Sequence, residues 1–366
     1  MNEGSFKDTP TQPPPLKRWG TPRLRTHGAR RLRRATVFTC TLLMDATLGC
    51  TPFRELRAER QVRRGEALLQ TEDLEAALAA FQEASELAPR MAVTHSRMGT
   101  IYRRMGEYEQ AIDCFTQAIR RDPSSFSDTF NLAQLYHFTH HLKEAIQAYL
   151  HAVELKPNDV DAQLNLGVCY QQTGDWDQAV ERFQTAIEID GDRPHAYVNL
   201  GVALDAQGKY YEAVRAYKDA LERDSRQPLV LVNLAHTYMN QERFRTARLV
   251  LEQAIDLDSN LAAAHEALGY GLFRTRDFDA AERAYNQALG CDRRLPRAHA
   301  GLGSIHMIRY LEDHTQVQQR ERALEHWHRS LELNPDQSRI RRLIAQYRPI
   351  GEDPETALLD IRPDGP

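Results

Sequence analysis

The sequence predicts an all-α protein assembled from about eight helix-turn-helix units and closed by one further helix, and three observations carry that prediction. Small residues recur at an interval of 34 along most of the chain. A second small column with a bulky residue four positions on keeps the same interval. A last amphipathic stripe follows the final unit and has an arginine-rich outer side.

The first column is Gly65, Gly99, Ala133, Gly167, Gly201, Ala235, Gly269 and Gly303. Three residues beyond each comes Leu68, Tyr102, Tyr136, Tyr170, Leu204, Tyr238, Leu272 or His306, the step of one helix face. The second column is Ala77, Ala111, Ala145, Ala179, Ala213, Ala247 and Ala281, with Ala323 arriving eight residues late. An insertion therefore lies between Gly303 and Ala323. Phe81, Phe115, Tyr149, Phe183, Tyr217, Leu251, Tyr285 and Trp327 follow four residues after that column, and Ala84 through Ala288, then Ser330, three later. Steps of four and three trace a second amphipathic helix in every unit. Two helices packed antiparallel need Gly or Ala where their axes come nearest, and large rings fill the space beside them. No unit can cover its own stripe, so neighbouring units stack into a rod with first helices lining one face.

Between the two helices, Gly106, Gly174 and Gly208 supply turn geometry that other residues resist, and Tyr108, Trp176, Tyr210, Phe244 and Phe278 follow two positions on. Pro89, Pro123, Pro157 and Pro335 close second helices because proline has no amide proton to continue them. Gly191, Ser225, Ser259 and Arg293 stand at that place elsewhere, where looser helix ends are expected.

Apolar residues at 42% and charged residues at 27% are ordinary for a folded protein. The net charge of −4 conceals eight cations between positions 16 and 34 (Lys17 to Arg34), which leaves the remainder at −12. An acidic body repels phosphate backbones, so nucleic acid is excluded as the main partner. Five scattered cysteines (Cys40, Cys50, Cys114, Cys169, Cys291) form neither a disulfide framework nor a metal knuckle, and no cofactor is expected.

The 34-residue unit with its Leu-Gly, Tyr, Ala, Phe/Tyr, Ala and Pro positions resembles the tetratricopeptide repeat family over residues 58–337. That resemblance implies a right-handed α-solenoid without enzymatic activity that recognises other proteins. Residues 338–348 resemble the family's solvating helix, with Ile340, Leu343, Ile344 and Tyr347 inward, and 349–366 is expected to be a disordered tail. In the middle units Asn131, Asn165, Asn199 and Asn233 recur once per repeat, similar to the asparagine ladder of the superhelical repeat domain of O-linked N-acetylglucosamine transferases. That likeness implies a groove in which amides, each both donor and acceptor, hold an extended peptide by its backbone. The alternative is structural: the amides bond to a neighbouring helix or to water. Arg63, Arg97, Ala267 and Gly301 hold the column in the flanking units.

Phe130, Gln134, His137 and Phe138 are expected on the same face, followed by Leu164, Val168, Gln171 and Gln172, by Val198, Val202 and Asp205, and by Val232, His236, Met239 and Asn240. The groove then reads as apolar with polar spots. A clamp for acidic chaperone tails would need Asn after the small column, where Glu66, Thr100, Gln134, Val168, Val202, His236, Tyr270 and Ser304 stand instead.

His137, His140 and His141 sit at helical spacing without a completing carboxylate and read as surface histidines, not metal ligands. His326 and His328 flank a packing tryptophan, and Asp313 with His314 lies in the inserted stretch, so neither pair reads as catalytic. With repeats and cap consuming the chain, no enzyme domain fits.

Residues 1–34 read as a disordered basic arm, and 35–50 as an apolar segment too short to span a bilayer. Two readings of that segment stand. It resembles a bacterial lipoprotein signal ending at a lipid-anchoring Cys50, although Asp45 interrupts it and Thr47 stands where Leu is usual. Otherwise it is an arm followed by a short helix that caps the first unit. The first reading places the protein at the cell envelope and in contact with membrane, the second in the cytoplasm. Three functions follow: a scaffold holding an extended partner segment in its groove, an envelope-anchored assembly factor, or a regulatory subunit docking through its convex face.

Overall fold

A computed structural model describes residues 51–348, so Cys50, the basic arm and the C-terminal tail lie outside the described residues. Every regular element among the described residues is helical. The chain divides into two compact units between Pro89 and Arg90.

The first unit is a single hairpin of α1 (Thr51–Gln70) and α2 (Leu74–Leu87). Helix α1 begins seven residues before the expected repeat boundary at 58, and Ala58 on it is fully buried. Inside the hairpin the Phe81 ring lies under Gly65, where a Cβ would come within 2.8 Å of it. Gln61 donates to Glu83 across the hairpin at 2.7 Å.

The second unit holds seven hairpins. They are α3 (Ala92–Met105) with α4 (Tyr108–Arg121), α5 (Phe126–Phe138) with α6 (Leu142–Leu155), and α7 (Val160–Thr173) with α8 (Trp176–Ile189). Next come α9 (Pro194–Ala206) with α10 (Tyr210–Arg223), α11 (Pro228–Asn240) with α12 (Phe244–Leu257), and α13 (Ala262–Arg274) with α14 (Phe278–Cys291). The last hairpin is α15 (Pro296–Glu312) with α16 (Val317–Leu333), and α17 (Ser338–Tyr347) closes the unit. Each second helix also packs on the first helix of the next hairpin, and first helices of successive hairpins touch one another. The result is an all-α solenoid of paired helices capped by a further helix.

The two sequence columns are a single packing constraint seen twice. The bulky residue of each second helix is buried, and its ring presses on the first helix of its own hairpin. At Gly167 a Cβ would stand 2.6 Å from the Phe183 ring, closer than real contacts allow. Gly99 with Phe115, Gly201 with Tyr217, Gly269 with Tyr285 and Gly303 with Trp327 repeat that arrangement. Where the partner is the smaller Leu251, the column position is Ala235, fully buried.

Second helices do not end more loosely where proline is missing. Helices α8, α10, α12 and α14 stop at the same register as the others, and Asp190, Asp224, Asp258 and Asp292 cap them. Each aspartate accepts the backbone N–H two residues on, at 3.1 Å for Asp192 and Arg226, 3.0 Å for Asn260 and 2.8 Å for Arg294. The same side-chain turn forms at Asp122 and Asn334, where Pro123 and Pro335 follow, so these helix ends do not depend on proline. At the inter-helix turns, Gly106, Gly174 and Gly208 take φ of +81°, +81° and +75°, and the same left-handed position is held by Glu72, His140, Glu242 and Arg276.

The insertion is shared between both members of the last hairpin, which are 17 residues each, and a four-residue turn, Asp313 to Gln316, joins them. Asp313 accepts from the amide and hydroxyl of Thr315 and from Gln316, which lowers its pKa and accounts for it as a turn residue. On α17, Ile340 is buried, and Leu343, Ile344 and Tyr347 pack with it against Met307 and Trp327, as the stripe predicts.

Candidate functional site: the face of the first helices

Asn131, Asn165, Asn199 and Asn233 occupy one register on α5, α7, α9 and α11, and all four are half-buried. Their surroundings differ. Asn131 accepts from Arg103 on α3 at 3.0 Å, and the same guanidinium nitrogen reaches Gln134 at 3.4 Å. The side-chain amides of Asn165, Asn199 and Asn233 have no hydrogen-bond partner among the described residues.

A cavity of about 700 Å³ opens beside the first of these free amides. Asn165 lines it together with Gln134, His137 and Phe138 of α5, Arg103 of α3, and Tyr149 from the second-helix layer beneath. Phe138 is 63% exposed and its ring meets Tyr108 at 4.8 Å, so the cavity has an aromatic lip. Its floor carries a polar surprise, because the Tyr149 hydroxyl is buried with no hydrogen-bond partner. Phe130 packs edge-on to Tyr149 at 5.8 Å and does not line the cavity. His137 Nε2 lies 3.2 Å from Gln172 Oε1 on the next first helix.

Further along, two of the expected site residues hold buried acceptors without partners, Gln171 Oε1 and Asp205 Oδ1. Burial raises the Asp205 pKa, opposed by the nearby polar groups of Thr237 and Asn240 and by the charge of His236. Burial also lowers the His236 pKa, helped by Arg297 and opposed by Asp205. Asn240 is exposed. Two residues expected on the open face belong instead to the core: Val232 and Met239 are each only 5% exposed, because α11 is packed on more of its circumference than its neighbours.

His140 occupies the left-handed turn position and His141 begins α6, with its Nδ1 2.9 Å from the Thr139 hydroxyl. Among the described residues no group of three or more His, Cys, Asp and Glu is placed to hold a metal ion, and no helix is long and apolar enough to cross a membrane. Burial pushes the Cys114 and Cys169 thiols up to about 11 and about 12, which makes them packing residues and not nucleophiles. The sequence reading missed Arg103 and the Tyr149 hydroxyl. Arg103 could have been flagged as a long cation beside the conserved-register Tyr102; nothing in the sequence marks Tyr149 as unpartnered.

Hairpins of this size, packed through small-residue columns and displaying half-buried amides on one face, define a repeat scaffold of the kind that mediates protein–protein contacts. Models of the tetratricopeptide repeat match residues 58–91, 92–125, 159–226 and 206–269, and a TPR repeat model matches 141–174. The chain belongs to the tetratricopeptide-repeat family. Among solved structures it is similar to the C-terminal part of a TPR repeat-containing protein from Cytophaga hutchinsonii, at 18% identity and TM-score 0.56 over 66% of this chain and 99% of that one. It is also similar to a chain of the APC/C hetero-tetramer Cut9-Hcn1, at 18% identity and TM-score 0.52 over 88% of this chain and 60% of that one. A third likeness is to YrrB, described as a TPR protein with an unusual peptide-binding site, at 22% identity and TM-score 0.47 over 50% and 95%. No curated protein matches the chain by sequence.

Proposed function

We propose that this scaffold holds an extended segment of a partner protein along its first helices, with Asn165, Asn199 and Asn233 pairing to the partner's backbone. The observation that carries this reading is the contrast within one column. Arg103 takes up Asn131, whereas the next three amides are half-buried and free, so their hydrogen-bonding capacity is not spent on the fold. A half-buried amide left to water can exchange that water for a peptide N–H and C=O without breaking a contact of the fold. Gln171 and Asp205 add acceptors to the same face, and Gln134, His137, Phe130, His236 and Asn240 flank it.

The test is to pan a displayed random-peptide library against the chain and titrate a recovered peptide against wild type and the double variant Asn165→Ala, Asn199→Ala. Each lost hydrogen bond is worth roughly 0.5–1.5 kcal/mol, so affinity should drop between several-fold and about a hundredfold while the melting temperature holds. A peptide N-methylated at its central amides should lose affinity for wild type as well. Unchanged affinity with lowered stability would show that the asparagines are structural.

Anchoring through Cys50 stays a separate proposal about place, resting on the order of basic cluster, apolar run and cysteine. A mature chain that begins at Cys50 and partitions into detergent would support it. An intact, water-soluble N-terminus recovered from the native host would remove it.

A further inference from the structure

The asparagine column does not stop at Asn233; it continues in register as Ala267 on α13 and Gly301 on α15. Where the side chains shrink, a cavity of about 540 Å³ opens, and both Ala267 and Gly301 line it. The hollow is enforced from below. The Tyr285 ring is buried against Gly269 in its own hairpin and against Gly301 in the next, so no Cβ fits at position 301. The long last hairpin raises the wall: α15 runs one turn past the end of the other first helices, and Leu311 in that extra turn is 44% exposed. Across from it stand Tyr270, 41% exposed, and the cap residues Leu343 and Tyr347. Large apolar groups left open to water on several sides of one hollow mark a recognition site more often than a lone exposed residue does.

Two arginines and one acid carry the charge around the hollow. Arg297, its side chain 82% exposed, reaches Glu266 only at 3.9 Å, and Arg339 is exposed on the cap. Glu266 is the one acid in the wall, and burial raises its pKa. His236 belongs to this cavity's wall and stands three residues from Asn233, so the hollow continues the face on which the free amides lie.

We propose that this C-terminal cavity takes a bulky apolar side chain of the partner segment, with acidic residues of the same segment beside it engaging Arg297 and Arg339. The proposal rests on the peptide-holding reading above and adds the chemistry of its ligand: an acidic stretch interrupted by a large aliphatic or aromatic anchor. The amides tolerate any sequence, so the selectivity of the scaffold resides in this cavity.

The experiment uses the full chain and a displayed random-peptide library as the probe. Recovered peptides should share a large apolar residue with Asp or Glu within two positions. A synthetic member should lose affinity by at least about tenfold on Arg297→Glu with Arg339→Glu, and separately on Leu311→Asp, at unchanged melting temperature. These residues are exposed or rim positions, so the variants keep the fold. Recovered peptides with basic flanks, peptides lacking an apolar anchor, or affinity indifferent to both variants would overturn the proposal. If such peptides still lose binding on Asn165→Ala with Asn199→Ala, the peptide-holding reading survives and only the cavity's role is lost. Failure to recover any peptide would remove both. A chain that sediments as a dimer and reverts to monomer on Leu311→Asp would assign the cavity to a second copy, which also overturns the proposal.

Discussion

The hairpins at 126–240 and those at 262–333 share one frame and present different surfaces, and the difference comes from the layer beneath. In the middle hairpins a polar amide stands two residues before each small-column position, half-buried and upright on the face. In the last two, Tyr285 is held between Gly269 and Gly301, and the buried Trp327 donates its indole N–H to the Ala300 carbonyl at 3.3 Å. Rings that press this closely on α15 leave no space for an amide at position 301, so there the asparagine column is closed for a steric reason. Surface chemistry on such a rod is thus written partly by core residues one layer down.

The largest effect should come from forcing the middle chemistry onto the end. Gly301→Asn would place side-chain atoms inside the Tyr285 ring, and we expect a loss of about 1–3 kcal/mol, read as a lower melting temperature. Shrinking the ring with Tyr285→Leu in the same chain should recover part of that loss relative to the sum of the single changes. A neutral Gly301→Asn would mean that the absence of asparagine at position 301 is accidental and the comparison empty.

The frame was legible in the sequence because one constraint, ring against first helix, fixes two residue positions per unit and repeats. Gly65 to Gly303 and Phe81 to Trp327 could be paired without coordinates. The helix ends were less legible: Asp190, Asp224, Asp258 and Asp292 close them by the side-chain hydrogen bond that Asp122 and Asn334 also make beside proline, and aspartate is too common on surfaces to announce that role. The four candidate asparagines could be found by register, but not that Arg103 would take one of them, because that contact spans 28 residues between neighbouring first helices. The C-terminal cavity was hardest, since it is made from absences at Ala267 and Gly301 that read as departures from a pattern.

An intermediate effect separates the two regions by pH. His326 on α16 lies against two histidines of α15: His299, whose Nδ1 is 3.0 Å from its own, and His306, stacked at 5.6 Å. Burial first, then the charges of His299, His306 and Arg322, bring its pKa down to about 4, against an opposing pull from Glu282. The folded state therefore binds fewer protons than the unfolded chain between the ordinary histidine value of 6.5 and about 4. Stability from this cluster is fully present above 6.5 and is lost as pH falls through that window. His299, also lowered by burial, adds in the same sense, whereas Glu266, raised by burial, works against it. In the middle hairpins, His236 and Asp205 shift in opposite senses and offset one another. Hydrogen-exchange protection factors, from which the intrinsic pH dependence of amide exchange has been divided out, should fall in α15 and α16 at pH 5 relative to pH 7, more than in α7 to α11, and His326→Gln should flatten the difference. An equal loss of protection in both regions would count against the cluster.

The smallest expected effect concerns the turns. Among the middle hairpins Gly174 and Gly208 hold the left-handed position in two turns, and His140 and Glu242 hold it in two others at φ of +61° and +58°. A side chain there costs about 1–2 kcal/mol through the clash of its Cβ with the following carbonyl. Replacing it by glycine relieves the clash but gives the unfolded chain more freedom, a loss of about 0.5–1 kcal/mol. The Glu242 carboxylate lies 4.0 Å from Arg274 on an exposed surface, too weak a pair to alter the sign. Glu242→Gly should therefore raise stability by about 0.5 kcal/mol, and Gly174→Glu should lower it by a similar amount. The two are measured as opposite shifts in denaturation midpoint at a common slope, since a change in slope would mean that the unfolded state, not the turn, had moved. Shifts of the same sign would show that the turns at 174 and 242 are not equivalent, and that hairpins sharing one surface pattern differ in their backbone.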